Sequence, residues 1–235
     1  IDGISEACRE LEIPITGGNV SLYNETDGQS IYPTPVLGVV GLLADGTQAL
    51  TRMFPEAGLD IVLLGEASGV LDGSEYLKIT HGLVRGRPAA VDLCRERVLQ
   101  SLLVEAARDG LLRSAHDCAD GGFAVTLAEC CVESAGGGAR VELPATAEQD
   151  DGFSLVRALF GEAPSRVVVS VSDVERDSLL ERANAVSVPA VVIGKTGGDR
   201  IRVTVCGAVV ADIGLDEAER SWANGLTQHF EQGVG

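Results

Sequence analysis

Two segments of the sequence combine paired glycines with oxygen-bearing side chains, and the first lies near the start of the chain. It places Gly17 and Gly18 directly before Asn19, with Ser21 two residues further on. Amides freed by a glycine turn can cradle phosphate, the Asn19 oxygen suits Mg2+, and the Ser21 hydroxyl can bind an anion. A glycine turn with polar capping is the alternative, because the segment is neither a Walker loop nor a GxGxxG fingerprint.

The second segment lies in the middle of the chain and carries two carboxylates. Asp117 and Asp120 stand three residues apart, directly before Gly121 and Gly122. A helix entered through two glycines would point its amides at this place, which predicts a site for a metal ion and a phosphate group. The alternative is that Asp120 caps the helix, with Gly121 and Gly122 in the turn, while His116 and Asp117 form local hydrogen bonds. The two interpretations are compatible.

Three other groupings favour structural roles over chemistry. Glu162 and Arg166 are spaced as a structural ion pair at a helix-to-strand turn, and Ser74 is placed to cap a helix. His116 and Cys118 would share a face of an extended segment, but nothing nearby in the sequence orients them as base and nucleophile.

Short apolar runs and amphipathic stretches predict the elements that must position these segments. The clearest helix covers residues 90–108, and a terminal helix over 216–230 is expected to bury Trp222 and Phe230. Interleaved strands and helices, with a hairpin near the end, indicate an α+β fold: a mixed sheet layered with helices. The predicted strands are residues 13–16, 36–43, 60–65, 114–118, 140–143, 166–171, 190–193, 201–205 and 209–213.

Charge and composition exclude several classes of function. The net charge of −17, from 18 Lys+Arg and 35 Asp+Glu, disfavours binding to nucleic acid or an anionic membrane. No run approaches the roughly 18 apolar residues of a membrane span. Six cysteines without CxxC spacing argue against a zinc site and are typical of reduced thiols in a cytoplasmic protein.

Six motifs in order resemble the phosphoribosylformylglycinamidine synthases of the small PurL type, which belong to the PurM-like superfamily. The resemblance covers essentially the whole chain, and its most specific parts are the GGN and HDxxDGG segments. The motifs are GGNVSLYNET with the following PTPVLGVVGLL, then GSEYLK, SAHDCADGGFAVTLAE, LFGEAPSR and VIGKTGG.

This resemblance implies an architecture. Residues 1–53 would be the tail of a PurM-like N-terminal domain that helps to form a shared barrel, and residues 54–235 a complete PurM-like C-terminal domain. The chain would then be the C-terminal portion of a longer enzyme, in keeping with its start at Ile1 without a methionine.

The resemblance also implies a reaction and its ligands. ATP would phosphorylate the amide oxygen of formylglycinamide ribonucleotide, and ammonia derived from glutamine would displace the phosphate. Gly18 would contact ATP, Asn19 would bind Mg2+ and Ser21 would bind the substrate. Asp117 would bind Mg2+ at a second nucleotide site, with Asp120 close by. Ala119 stands where related proteins have serine, so a hydroxyl contact to that nucleotide is lost.

The implied partners are the glutaminase subunit PurQ, the small subunit PurS and the N-terminal half of the same enzyme. The family's catalytic histidine belongs to that half, so no catalytic residue is assigned here and the chain alone is expected to hydrolyse no ATP. Two alternatives stay open: a relative of selenophosphate synthetase or thiamine-monophosphate kinase, and a non-catalytic scaffold or nucleotide-binding module. The SLYNET continuation argues against the first.

Overall fold

The computed structural model describes residues 1–21, 24–43, 45–144 and 153–232, with the main chain alone from residue 228 onwards. The chain divides into two compact units, Ile1–Ala49 and Leu50–Gly235. Among the described residues, none of the helices has the length and apolar composition needed to cross a membrane.

The first unit contains little regular structure in its described part. Its elements are α1 (Asp2–Glu10), β1 (Glu25–Thr26), β2 (Gln29–Ser30) and a 3-10 turn over Gly46–Gln48. β1 and β2 pair in an antiparallel ladder of two residues each. The Asp45 side chain accepts a hydrogen bond from the Thr47 amide and so begins the 3-10 turn.

The strands predicted over residues 13–16 and 36–43 are wrong. Both stretches lack regular structure, and the second is exposed throughout, with Val40 98% exposed. A strand needs a hydrogen-bonded neighbour, and an apolar run is buried only where another layer covers it. The described part of this unit offers only the short β1–β2 ladder as sheet.

The second unit is an α+β layered structure, as the sequence predicts. Within its described residues, the strands form one sheet in the order β4-β6-β3-β7-β5-β8-β9. Neighbours are antiparallel except β5 and β8, which are parallel. Its strands are β3 (Asp60–Leu64), β4 (Leu112–Asp117), β5 (Ala139–Leu143), β6 (Val167–Val171), β7 (Ala190–Thr196), β8 (Arg200–Val205) and β9 (Ala208–Gly214).

Helices cover both faces of this sheet because its central strands are apolar on both sides. Ile61 and Leu63 of β3 face a core shared with α4, α5 and α7, whereas Val62 and Leu64 face a core shared with α3 and α6. The helices are α2 (Glu75–His81), α3 (Leu93–Arg108), α4 (Gly122–Cys131), α5 (Ser154–Phe160), α6 (Arg176–Ala185) and α7 (Leu215–Gln232).

Two helix predictions need correction. α3 begins at Leu93 instead of residue 90, because the Asp92 carboxylate accepts hydrogen bonds from the Cys94 and Arg95 amides and caps the helix there. Trp222 of α7 is 49% exposed, with the Arg52 guanidinium 5.8 Å from its ring centroid, so it does not lie in the core. The side chain of Phe230 lies outside the described residues.

Candidate functional site

The first predicted segment is an exposed stretch of the first unit. The Asn19 side-chain amide donates a hydrogen bond to the Ser21 hydroxyl, at 3.1 Å, and both side chains are exposed. A Cβ placed on Gly17 or Gly18 would meet nothing within 4 Å, and neither glycine has a left-handed φ. Nothing in the described part of this unit therefore requires glycine at these two positions. Leu22 and Tyr23 of the same motif lie outside the described residues.

The second predicted segment is the loop between β4 and α4, and its two carboxylates face solvent. Asp117 ends β4 with its side chain 74% exposed, and Asp120 is also exposed. Main-chain hydrogen bonds hold the rest of this loop. The Cys118 amide donates to the Arg166 carbonyl at 2.8 Å, and the Gly122 amide donates to the Ala119 carbonyl at 3.1 Å.

The expectation that Asp120 caps α4 is wrong. The N-cap is Gly121, whose φ of 81° lies in the left-handed region that glycine adopts without strain. The acceptor for its amide comes from a distant residue, because Glu162 Oε1 lies 2.9 Å from the Gly121 nitrogen. The same oxygen also accepts the Glu75 amide, at 2.8 Å. One carboxylate thus serves the start of α2 and the start of α4.

The amides of Gly121 and Gly122 are not free for the phosphate group that the sequence predicts here, because both are already hydrogen-bonded inside the protein. Gly122 serves close packing instead: a Cβ on it would lie 2.6 Å from the Gly161 carbonyl oxygen. Gly69 approaches the same residue, and a Cβ on Gly69 would overlap the Gly161 carbonyl carbon. These glycines allow three loops to meet at main-chain distance.

The predicted ion pair between Glu162 and Arg166 is wrong, because each side chain binds main-chain groups. The Arg166 side chain is 1% exposed, and its guanidinium donates to the carbonyls of Glu66, Gly161 and Ala67 at 2.9, 2.9 and 3.3 Å. Burial lowers the pKa of Arg166, because the charged form loses solvation. Glu162 accepts main-chain amides and Arg166 donates to main-chain carbonyls, so each side chain holds loops together independently of the other.

His116 is held by carboxylates and does not activate Cys118. Its Nε2 lies 2.8 Å from Glu129 Oε2, and its Nδ1 lies 3.4 Å from Asp117 Oδ1. Cys118 is buried, and desolvation raises the pKa of its thiol, the opposite of what a nucleophile needs.

The beginning of α2 contributes a positive charge near the second loop. Ser74 caps this helix as predicted, accepting the Leu77 amide at 3.3 Å. Lys78 pairs with Glu75 at 2.8 Å, and this contact is the main reason that the pKa of Lys78 is raised. The Asp120 carboxylate adds a smaller increase, which places its charge within electrostatic reach of Lys78.

The donor chemistry fits a hard cation, but the ligand set within the second unit is partial. Mg2+ prefers oxygen ligands and keeps several waters, so exposed carboxylates such as Asp117 and Asp120 are suitable. Among the residues described, no three His, Cys, Asp or Glu side chains gather closely enough to hold a metal ion. Further ligands would have to be amides, hydroxyls, water or phosphate oxygens.

Sequence comparison assigns this chain to a family. Residues 56–206 match the family described as "AIR synthase related protein, C-terminal domain", which is more than half of the chain. The chain belongs to this family. Residues 1–43 match the corresponding "AIR synthase related protein, N-terminal domain". Both matches agree with the PurM-like architecture expected from the motifs.

Two curated relatives of this chain carry the same name. The chain is 41% identical over 244 residues to phosphoribosylformylglycinamidine synthase subunit PurL of Anaeromyxobacter sp., covering 100% of the chain and 30% of the relative. It is 43% identical over 227 residues to the same subunit of Moorella thermoacetica, covering 96% and 30%. The chain therefore spans about a third of the length of these relatives.

Solved structures support the fold. PurL of T. maritima complexed with FGAR matches with a TM-score of 0.64 at 19% identity, covering 74% of this chain and 30% of that one. The same protein complexed with ATP and in the PurLQS structure matches with TM-scores of 0.59 and 0.58, each at 20% identity and covering 74% of this chain and 28% of that one. At these identities the similarity establishes the PurM-like fold alone.

Sequence reasoning missed the roles of Glu162 and Arg166, although it singled out the LFGEAPSR motif that contains them. The available signal was the glycine beside the glutamate: Gly161 lies where main chains pass too close for a side chain. A charged residue beside such a crossing has main-chain amides and carbonyls within reach, and these compete with the opposite charge four residues away.

Proposed function

We propose that this chain forms part of a phosphoribosylformylglycinamidine synthase of the PurL type. The reaction is the ATP-dependent conversion of formylglycinamide ribonucleotide and glutamine-derived ammonia to formylglycinamidine ribonucleotide, with release of ADP and phosphate. The observation that carries the proposal is the 41% identity over the whole chain to a subunit of that name. The match of residues 1–43 to a second domain of the same family supports it.

For the first unit, we propose ligand contacts at the exposed glycine segment. Gly18 contacts ATP, Asn19 binds Mg2+ and Ser21 binds the substrate. The surroundings of Gly17 and Gly18 are open, which leaves room for a ligand to approach the main chain there. The Asn19 and Ser21 side chains are exposed and bonded to one another, so both are accessible to a ligand.

For the second unit, we propose that Asp117 and Asp120 bind Mg2+ at a second nucleotide site. Their exposure and their oxygen chemistry support the assignment. When bound, the ion would neutralise negative charge on phosphate oxygens. The chain's own contribution is to hold the two carboxylates on a loop whose neighbouring amides, those of Cys118 and Gly121, are anchored.

Domains and partners follow from the same proposal. We assign residues 1–53 to the end of the N-terminal-type domain and residues 54–235 to the C-terminal-type domain, which the family matches over 1–43 and 56–206 support. The other partners are the rest of the same enzyme and the subunits PurQ and PurS, in the cytoplasm. The PurLQS structure of the T. maritima protein supports such an assembly.

A chimera tests the proposed activity. This chain replaces the matching segment of the Moorella thermoacetica relative, and ADP formation is measured with ATP, Mg2+, ammonia and formylglycinamide ribonucleotide. We expect substrate-dependent turnover by the chimera and none by the isolated chain. Asn19→Leu in the chimera should lower turnover by at least about tenfold, because a metal ligand is lost, while the neighbouring exposed Val20→Ala should not.

Two results would contradict the proposal. One is a folded chimera that binds the ribonucleotide and forms no ADP. The other is equal turnover by the Asn19→Leu and Val20→Ala chimeras, which would remove the metal role of Asn19. Substrate-dependent turnover by the isolated chain would contradict the expectation that the catalytic machinery lies in the rest of the enzyme.

A further inference from the structure

The LFGEAPSR motif holds the loop that carries the two exposed carboxylates. Residues 161–166 anchor this loop at two points: the Arg166 carbonyl accepts the Cys118 amide, and Glu162 Oε1 accepts the Gly121 amide. Each exposed carboxylate directly precedes an anchored residue, since Asp117 precedes Cys118 and Asp120 precedes Gly121. The position of each carboxylate is therefore set by a neighbour that the motif holds.

Glu162 also fixes the start of α2 relative to this loop. Its Oε1 accepts the Glu75 amide, and its main chain exchanges two hydrogen bonds with Val70, at 3.0 and 2.9 Å. Lys78, one turn into the same helix, is the cation whose pKa responds to Asp120.

We propose that Glu162 is a positioning residue for metal binding by Asp117 and Asp120, acting through the two amides that it accepts. This inference rests on the proposed metal role of those two carboxylates. Glu162 does not contact the ion; it sets where the loop and Lys78 stand. In this role one side-chain oxygen must accept both amides. Glutamine should therefore replace Glu162, because its neutral side chain also has an Oε1 with two lone pairs.

The test measures Mn2+ binding to the 235-residue chain by electron paramagnetic resonance, with MnCl2 as the probe. We expect Glu162→Ala to weaken binding by about tenfold or more, the size usual for residues that orient metal ligands. Glu162→Gln should stay within about threefold of the unsubstituted chain, and Asp117→Asn should lose the site. If Glu162→Ala does not fold, Glu162→Asp is used, because its shorter side chain cannot span both amides.

Glu142→Ala is the matched control. Glu142 is also a glutamate whose Oε1 accepts a main-chain amide, that of Gly207 at 3.2 Å, but it lies in the exposed β5–β8 region. We expect its replacement to leave Mn2+ binding unchanged. Amide hydrogen exchange measured by NMR gives a second readout: exchange at Glu75 and Gly121 should become faster in Glu162→Ala and stay slow in Glu162→Gln.

The outcomes separate the inference from the function on which it rests. Binding that Asp117→Asn weakens and Glu162→Ala leaves unchanged would overturn the positioning role alone. Equal weakening by alanine and glutamine would also overturn it, because the charge of Glu162 would then be what counts. If the unsubstituted chain shows no binding that depends on Asp117, the proposed metal role fails and the inference fails with it.

Discussion

Replacing Arg166 with methionine would remove the guanidinium that holds the loops of the candidate site. This side chain is 1% exposed, and within the described part of the chain its guanidinium donates to three main-chain carbonyls. Methionine is unbranched and flexible, so it can fill the space of the aliphatic part of the arginine side chain, but it has no donor. The change therefore removes all the hydrogen bonds of the guanidinium while keeping the packing of the aliphatic part.

The expected loss of stability follows from the burial of the acceptors. The bond to the Gly161 carbonyl is fully buried, and leaving that acceptor unsatisfied costs about 1–3 kcal/mol. The bonds to the carbonyls of Glu66 and Ala67 are partly buried and contribute about 1 kcal/mol each. Removal of a desolvated cation offsets part of this loss. We expect a net decrease of about 3 kcal/mol in the free energy of unfolding.

Urea unfolding followed by tryptophan fluorescence measures this change. The chain has a single tryptophan, Trp222, and it lies in the same unit as Arg166, so the signal reports on that unit. Arg200→Met is the matched control, because Arg200 is exposed and pairs with Asp212 in solvent; we expect no resolvable change. A loss below about 1 kcal/mol for Arg166→Met, with an unchanged m-value, would refute the conclusion that the Arg166 guanidinium holds these loops.

Glycine packing and thiol burial give two further predictions. Gly122→Ala should lower the free energy of unfolding by about 3 kcal/mol, because the new Cβ would lie 2.6 Å from a carbonyl oxygen and the residue has a φ of +68°. The control is Gly225→Ala, in open space on α7, which should raise the free energy of unfolding by up to about 1 kcal/mol. Equal effects of the two substitutions in urea unfolding would contradict this reasoning. Burial raises the pKa of the Cys131 thiol from 9.0 to about 12. Above pH 9 this thiol therefore ionises in the unfolded chain but not in the folded one, and the free energy of unfolding falls as pH rises. The decrease should approach about 1.4 kcal/mol per pH unit for this thiol, and Cys131→Ala should reduce the slope between about pH 9 and pH 10.5; an unchanged slope would contradict it.

The elements that could be predicted are those whose signal is local. β3 is predicted from the apolar run that follows Asp60, and the structure buries the whole strand at the centre of the sheet. The β8–β9 hairpin follows from two apolar runs around Cys206 and Gly207. Residues 36–43 show the same apolar signal and stay exposed, because burial depends on a partner surface that the run itself does not encode.

The candidate site shows the same division between local and distant causes. Ser74 caps α2 from within its own turn, and the sequence predicts it. The start of α4 is capped by Glu162, 41 residues from Gly121, so the local carboxylate of Asp120 is a misleading signal. The spacing of residues within one segment cannot predict a hydrogen-bond acceptor that lies far away in the sequence and is brought close only by the tertiary fold.

These internal contacts restrict how the second loop could hold a phosphate group. The amides of Gly121 and Gly122 are taken by Glu162 and by the Ala119 carbonyl, so neither is left to neutralise an incoming anion. The nearby Asp117 and Asp120 would repel it, in a chain whose net charge is already −17. A phosphate bound here therefore needs a cation between itself and the carboxylates. Nucleotide binding at this loop should accordingly depend on a divalent metal, with Lys78 supplying only a part of the positive charge.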